Sequence, residues 1–324
     1  MELFESLKQK IDGKNLRIVF PEATDARILK AAARLHQEKI LEPVFLGNPK
    51  QVQLAAQSAT VDISDITILD PDNYAEFDQM VSAFVERRHG KNTAEQAQQM
   101  LRDPNYFGTM LVYLDQVDGM VSGAIHPTGD TVRPALQIIK VKPGLTRTSG
   151  AFIMQKEDQR YLFADCAINI NPSAQELAEI AVTSAKTAQL FDIDSKVAML
   201  SFSTKGSAKG DEVTKVAEAT KLAHEMDSEV VLDGELQFDA AFVPTVAQQK
   251  APDSQVAGQA TVFVFPELQS GNIGYKIAQR FGGFEAIGPI LQGLNKPVSD
   301  LSRGCNEEDV YKLALITAAQ ALQN

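Results

Sequence analysis

The sequence predicts an α/β protein with two successive α/β stretches, and three observations carry that expectation. Its apolar runs are short and β-branched, the segments between them repeat apolar residues at helical spacing, and the alternation breaks near Val141-Lys142-Pro143-Gly144 before it resumes. In the first stretch Leu16 to Phe20, Pro43 to Leu46, Thr67 to Leu69 and Gly119 to Val121 read as buried strands. Helical patterns over Asp25 to Glu38, Pro49 to Gln57 and Tyr74 to His89 lie between them, which is the rhythm of a parallel sheet with crossover helices. Beyond Gly144 a hairpin, Ala151 to Gln155 with Tyr161 to Asp165, leads into a helix over Ala174 to Leu190. A strand at Val197 to Ser201, a helix over Asp211 to Met226, strands at Val230 to Asp233 and Thr261 to Phe265, and a helix over Gly271 to Phe281 follow. The chain then runs through Gly- and Pro-rich loops to a last helix over Asn306 to Gln323. A domain boundary is expected near residue 143.

Composition narrows the functional classes. At 324 residues the chain is long enough for about two domains of ordinary size. Its formal net charge of -11 disfavours nonspecific contact with nucleic acid or an anionic membrane, so any anionic ligand needs a local basic pocket. The two cysteines, Cys166 and Cys305, lack metal-ligand spacing and cannot form a disulfide framework, which fits a reducing cytoplasm. Met1 to Gly13 mixes charged and apolar residues unlike a signal peptide, and no apolar run reaches the roughly 18 residues of a membrane span. A soluble, cytoplasmic enzyme with neither nucleic-acid nor membrane partners is expected.

Five polar segments interrupt this background. Ser302-Arg303-Gly304-Cys305-Asn306-Glu307-Glu308-Asp309 precedes the last helix, with Asn306 as a plausible N-cap and Asp309 in the first turn; an ordinary capping arrangement explains the pattern equally. Ser122 to Pro134 joins a strand to a helix through small and hydroxylated residues, with His126 and Arg133 inside it; it reads either as a phosphate cradle of main-chain N–H groups or as a plain βα loop. Ser201 to Gly210 is rich in hydroxyls, glycines and lysines but lacks P-loop spacing, so nucleoside triphosphate hydrolysis is not supported. Asp233 to Asp239 and Pro266 to Lys276 each read singly as a turn with a helix cap.

Taken together, in this order and at these separations, the segments resemble the phosphate acetyltransferase and phosphate butyryltransferase family over nearly the whole chain. The strongest parts are Val121 to Lys140, Ser201 to Ala208, Asp233 to Ala241, Pro266 to Arg280 and Gly288 to Cys305. Asp-Gly-Glu-Leu-Gln and Gly-Asn-Ile-Gly-Tyr-Lys resemble the acetyltransferase branch more closely, whereas Pro127 departs from the serine usual after His126. The resemblance implies two α/β domains with parallel-type sheets around a central cleft, a shape shared with the isocitrate and isopropylmalate dehydrogenases. It also implies that residues 1–143 and 290–324 form the first domain, with 144–289 inserted as the second.

The implied activity is reversible acetyl transfer between coenzyme A and inorganic phosphate, by direct attack in a ternary complex. No metal or bound organic cofactor is implied. Coenzyme A, acetyl phosphate and phosphate are the implied ligands, and a homodimer or larger homo-oligomer the usual assembly. By this resemblance Asp309 is the base for the thiol, Arg303 holds the acyl phosphate and Ser302 hydrogen-bonds at the thiol. Arg133 and Arg87 are implied to bind phosphate groups, with Arg88 as the neighbouring choice. Ser122, Thr128, Thr131, Asn272, Tyr275 and Lys276 complete the implied substrate contacts. His126 reads as orienting main chain or ligand more than as an acid or base, and Cys305 as a packed thiol because direct transfer needs no acetyl-enzyme. Three other functions stay in view: a butyryltransferase using the same set, a metal-dependent decarboxylating dehydrogenase, for which no carboxylate cluster is found, and a noncatalytic regulatory domain.

Overall fold

Ile18, Val19 and Phe20 have no exposed surface, as expected of a strand covered on both faces of a parallel sheet. They belong to β1 (Arg17–Phe20), which pairs in parallel with β2 (Glu42–Leu46) and β4 (Gly119–Ser122). β2 in turn pairs with β3 (Thr67–Leu69), and β4 with β11 (Val298–Asp300), the last strand of the chain. The computed structural model describes residues 3–323; Met1 and Glu2, which open the N-terminal segment read above, and Asn324 lie outside the described residues. Among the described residues these strands form a five-stranded sheet ordered β11-β4-β1-β2-β3.

That order reverses at β1. β2 and β3 extend the sheet on one side, β4 and β11 on the other, so the carboxyl ends of β1 and β4 flank a topological switch point, where open α/β sheets bind ligands. The helix Glu307–Ala321 packs on β1, β4 and β11 through buried Val310, Leu313, Ala314 and Thr317. The Ser299 and Thr317 hydroxyls share a 2.7 Å hydrogen bond beneath it. Met1–Lys140 with Leu294–Asn324 make up this first compact unit.

The second unit is Val141–Gly293. β5 (Ser149–Lys156) and β6 (Gln159–Ala164) form an antiparallel hairpin, and β7 (Val197–Leu200), β8 (Leu232–Leu236) and β9 (Val262–Val264) run parallel to one another and to β6. With β10 (Glu285–Gln292) antiparallel to β5, the described residues give a six-stranded sheet ordered β10-β5-β6-β9-β7-β8. Its core is aromatic: Phe163 packs edge-on to Phe263 at 5.4 Å and tilted against Phe265 at 5.3 Å. The long helix Ala174–Leu190 starts in a capping box between Ser173 and Glu176, which satisfies two N–H groups that the first turn cannot. Among the described residues no helix is long and apolar enough to cross a membrane.

Both sheets follow the expected α/β rhythm, and the differences have local causes. The Gly- and Pro-rich stretch read as loops contains β10 and β11. In β10, Gly288 and Pro289 sit at a register shift between Ile287 and Ile290, so the bulge hides the period-two pattern. Asp233 to Leu236, read as a polar turn, lie within β8. Helices Ala94–Met100 and Pro104–Tyr113 were not anticipated, although Thr93 and Asp103 cap them as their residue types allow.

Gly271, in the helix Leu268–Arg280, tests the packing of the second unit. Alanine normally gains about 1 kcal/mol over glycine inside a helix, yet a Cβ here would stand 2.3 Å from the main-chain oxygen of Asp165. A main-chain carbonyl cannot turn aside as a flexible side chain can, and overpacking of this kind costs about 1–3 kcal/mol. Gly271→Ala is therefore expected to lower the thermal midpoint; an increase would show that the helix shifts freely.

Candidate active site

At the switch point the chain leaves β1 through Pro21 and Glu22, and the Glu22 side chain is completely buried. Its carboxylate accepts four main-chain hydrogen bonds from the loop after β4: Gly123 N–H at 3.0 Å and Ala124 N–H at 2.7 Å on Oε2, Ile125 N–H at 2.9 Å and His126 N–H at 3.0 Å on Oε1. His126 Nδ1 adds a fifth contact to Oε1 at 2.7 Å. A buried charge is tolerated only when its lone pairs are met, and here successive N–H groups form the concave nest that suits an anion. Glycine is required at 123: φ is +108°, and a Cβ would lie 2.5 Å from Asp300 Oδ1 and 2.7 Å from Leu301 main-chain atoms. The cradle expected of Ser122 to Pro134 thus exists at residues 123–126, but the protein's own carboxylate fills it and a phosphate does not have those N–H groups to itself.

Arg27 ties this loop to the segment before the last helix. Its Nη2 donates to Ala124 O at 2.8 Å, and its Nη1 to Arg303 O and Cys305 O, each at 2.9 Å. Asp25 grips the same guanidinium through Nε and Nη2, at 3.0 and 2.8 Å. That contact holds the Asp25 carboxyl below the usual carboxylate range. Ser302 and Arg303 are exposed, and no partner for the Arg303 guanidinium occurs among the described residues. Asp309 is exposed too, in a reciprocal capping box: its Oδ2 accepts the Asn306 N–H at 2.9 Å while Asn306 Oδ1 accepts the Asp309 N–H at 3.0 Å. The capping arrangement weighed from the sequence is therefore present.

The helix Thr128–Pro134 begins just beyond the Glu22 nest. Thr128 and Arg133 are exposed on it, again with no guanidinium partner for Arg133 among the described residues. Two expected contacts need correction. Ser122 is wholly buried and donates to Asn105 Oδ1 at 2.7 Å, and Thr131 is wholly buried, because both face inward beneath this helix. Arg87 is also committed internally: Nε donates to Ile138 O at 2.6 Å and Nη2 to Ile139 O at 3.0 Å, supporting the π turn Ala135–Ile139, and its guanidinium stacks 4.9 Å from the Tyr113 ring. Arg88 Nε donates to Asn92 Oδ1 at 3.2 Å.

Beside the nest, Asp300 ends β11, opposite Ser122 in register, with its Oδ1 buried and unpartnered. Burial pushes its carboxyl up, while the Thr128 and Thr131 hydroxyls favour the ionised form and Glu22 opposes it. Burial likewise pushes up the thiols of Cys305 and, more strongly, Cys166, so neither is a ready thiolate.

In the second unit, Lys276 Nζ donates to Asn272 Oδ1 at 2.6 Å and Asn272 Nδ2 donates to Cys166 O at 3.1 Å, leaving an exposed ammonium on the helix Leu268–Arg280. Tyr275 stacks on Phe152 at 4.1 Å, and burial raises its phenol. The loop Ser201 to Gly210 repeats the device of the first unit: buried Glu235 accepts from Gly206 N–H at 2.7 Å and Ser203 Oγ at 2.9 Å, while Lys205 pairs with Asp233. Glu22 was missed in the sequence, and Glu235, although inside the Asp-Gly-Glu-Leu-Gln segment, was given no role, since neither lies in the loop it organises. A glutamate directly after a buried strand, as Glu22 is, is the available signal. Among the described residues no three His, Cys, Asp or Glu side chains gather as a metal site would require.

Fold and site define an α/β protein whose switch-point loop is fixed by an internal carboxylate and whose neighbouring segments carry exposed guanidiniums with no partner among the described residues. The chain belongs to the phosphate acetyl/butaryl transferase family, whose model matches residues 2–318. It is 61% identical to the phosphate acetyltransferase of Bacillus subtilis over 99% of each chain. The crystal structure of a phosphotransacetylase from Streptococcus pyogenes superposes with a TM-score of 0.98 at 64% identity, covering 99% of this chain and 98% of that one. A Staphylococcus aureus phosphotransacetylase gives 0.95 at 59% identity, covering 98% of both.

Two substitutions test these electrostatics. Glu22→Gln turns an NH₂ toward groups that already donate, and is expected to cost about 2–3 kcal/mol in urea unfolding; an unchanged midpoint would contradict the nest. For Asp300 the folded pKa lies above the unfolded one, so its stabilisation is greatest below the unfolded pKa and is lost as pH rises through the folded value. Asp300→Asn is therefore expected to raise the melting temperature at neutral pH and to lose that advantage in mild acid. An advantage independent of pH would contradict a buried charge.

Proposed function

We propose that this chain catalyses reversible transfer of an acetyl group between coenzyme A and inorganic phosphate, by direct attack within a ternary complex. Whole-length similarity to phosphate acetyltransferases supports the reaction, and one observation supports where it occurs. Arg303 presents a guanidinium with no partner among the described residues on a loop whose main chain is pinned by Arg27. A planar fork on a rigid loop suits a doubly charged acyl phosphate and the oxyanion that develops on its carbonyl. In the thiol-acylating direction, Asp309 takes the thiol proton, sulfur bonds to the carbonyl carbon, the C–O bond breaks and phosphate leaves on Arg303. Ser302 orients the thiol, and Arg133 with Thr128 holds phosphate oxygens. Arg87 acts through the turn it supports, keeping the end of that helical segment in place. The step itself requires no metal or organic cofactor.

Exposed Ile273, Ile277 and Phe281, at 56, 52 and 91%, form a helical stripe that supports self-association into a homodimer or larger homo-oligomer. Two free, buried cysteines agree with a cytoplasmic setting.

A metal-free assay of coenzyme A release from acetyl coenzyme A tests the reaction, and release is expected only with phosphate present. Release that ignores phosphate would overturn the transfer. Arg303→Lys keeps the charge but not the fork and is expected to lose about 100-fold or more in kcat; activity within a few-fold of the parent would remove Arg303 from the transition state. Asp309→Asn can still accept the Asn306 N–H through its amide oxygen, so the melting temperature should hold while kcat falls by roughly 100-fold. A fall in melting temperature that accounts for the lost activity would leave only the cap.

A further inference from the structure

Among the described residues His126 is the one imidazole at the switch point, and its surroundings are those of an acid–base group. Nδ1 lies 2.7 Å from Glu22 Oε1, and the carboxylate is itself immobilised by four main-chain N–H groups. A carboxylate against Nδ1 places the proton there and turns Nε2 into the working nitrogen. Nε2 has no partner among the described residues, and the side chain is 29% exposed, so the ring is anchored at one end and open at the other. The Arg27 guanidinium donates both to Ala124 O, two residues before this histidine, and to Arg303 O. The loop carrying the imidazole and the loop carrying the free guanidinium are thus held side by side across a single side chain.

We infer that His126 is a catalytic residue that exchanges a proton with phosphate through Nε2, with Glu22 as the positioning residue that fixes its tautomer. This rests on the acetyl-transfer reading above. When phosphate attacks acetyl coenzyme A, a phosphate oxygen bonds to the carbonyl carbon and the C–S bond breaks. The P–OH proton passes to Nε2, and the departing thiolate takes a proton from Asp309. In reverse, Asp309 receives the thiol proton as sulfur bonds to carbon, and the imidazolium returns its proton to the leaving phosphate. The net transfer is one proton between phosphate and thiol, so each cycle balances once both groups re-equilibrate with water. Among the described residues, the charged and titratable groups that act on Glu22, and through it on the ring, are Arg27 from the helix Ala26–Gln37, Asp300 from the end of β11 and the Cys305 thiol.

His126→Gln and His126→Ala test this in the intact protein, with coenzyme A release from acetyl coenzyme A and phosphate as the readout. Both are expected to lower kcat by about 100-fold, with KM for acetyl coenzyme A within about twofold and an unchanged melting temperature. The acidic limb of wild-type kcat should disappear in both, and added imidazole should restore turnover to His126→Ala. Turnover within a few-fold of wild type would overturn the assignment. So would a loss of turnover that keeps the acidic limb and ignores imidazole, because that is a structural defect. If the wild-type chain itself shows no phosphate-dependent release, the acetyl-transfer reading fails first and takes this inference with it. An active parent with an indifferent variant removes the histidine alone.

Discussion

The rest of the first unit depends on the Glu22 carboxylate filling the nest made by residues 123–126. Four main-chain donors and an imidazole converge on a side chain with no access to water, so neither partner is stable without the other. The consequence is a division of labour at the switch point. Open parallel sheets usually lend the N–H groups of this loop to a bound anion, but here they are spent on rigidity. Arg133 and Arg303 are exposed in the same unit, and their guanidiniums have no partner among the described residues.

Arg27 converts local rigidity into alignment. One guanidinium holds Asp25, the loop at Ala124 and the carbonyls of Arg303 and Cys305, so segments almost 280 residues apart in sequence share one rigid node. Arginine suits this because its donors diverge in a plane that a lysine ammonium cannot reproduce. Reactive groups held on such a frame need little reorganisation when a substrate arrives, which is where positioned catalysis gains most. The second unit uses the same principle independently, with Glu235 on the Ser203 to Gly206 turn and with Asp165, which accepts main-chain N–H groups from Gly150, Ala167, Ile168 and Asn169.

The fold was legible wherever periodicity was intact. β1 to β4 and the hairpin β5–β6 follow from short apolar runs, and the capping box of Asn306 and Asp309 follows from residue type and spacing. β10 was not legible, because its bulge at Gly288 and Pro289 breaks the alternation. The candidates Arg303 and Arg133 could be named from the motifs that carry them, and both are exposed in the fold. Ser122 and Thr131 sit in an equally motif-like segment and Arg87 in a loosely patterned one, and only packing reveals that they turn inward or brace a turn. Glu22 illustrates the limit: its role comes from a pairing across about 100 residues that the chain makes only after β1 and β4 lie side by side.

Amide hydrogen exchange at Gly123 to His126, with and without saturating phosphate, tests the filled nest most directly. With Glu22 as the resident acceptor, these four amides are expected to exchange slowly in the free protein and to change little when phosphate binds, while Glu22→Gln releases them. Rapid exchange in the free protein, with protection appearing only on addition of phosphate, would contradict it and return the loop to the role of a phosphate cradle.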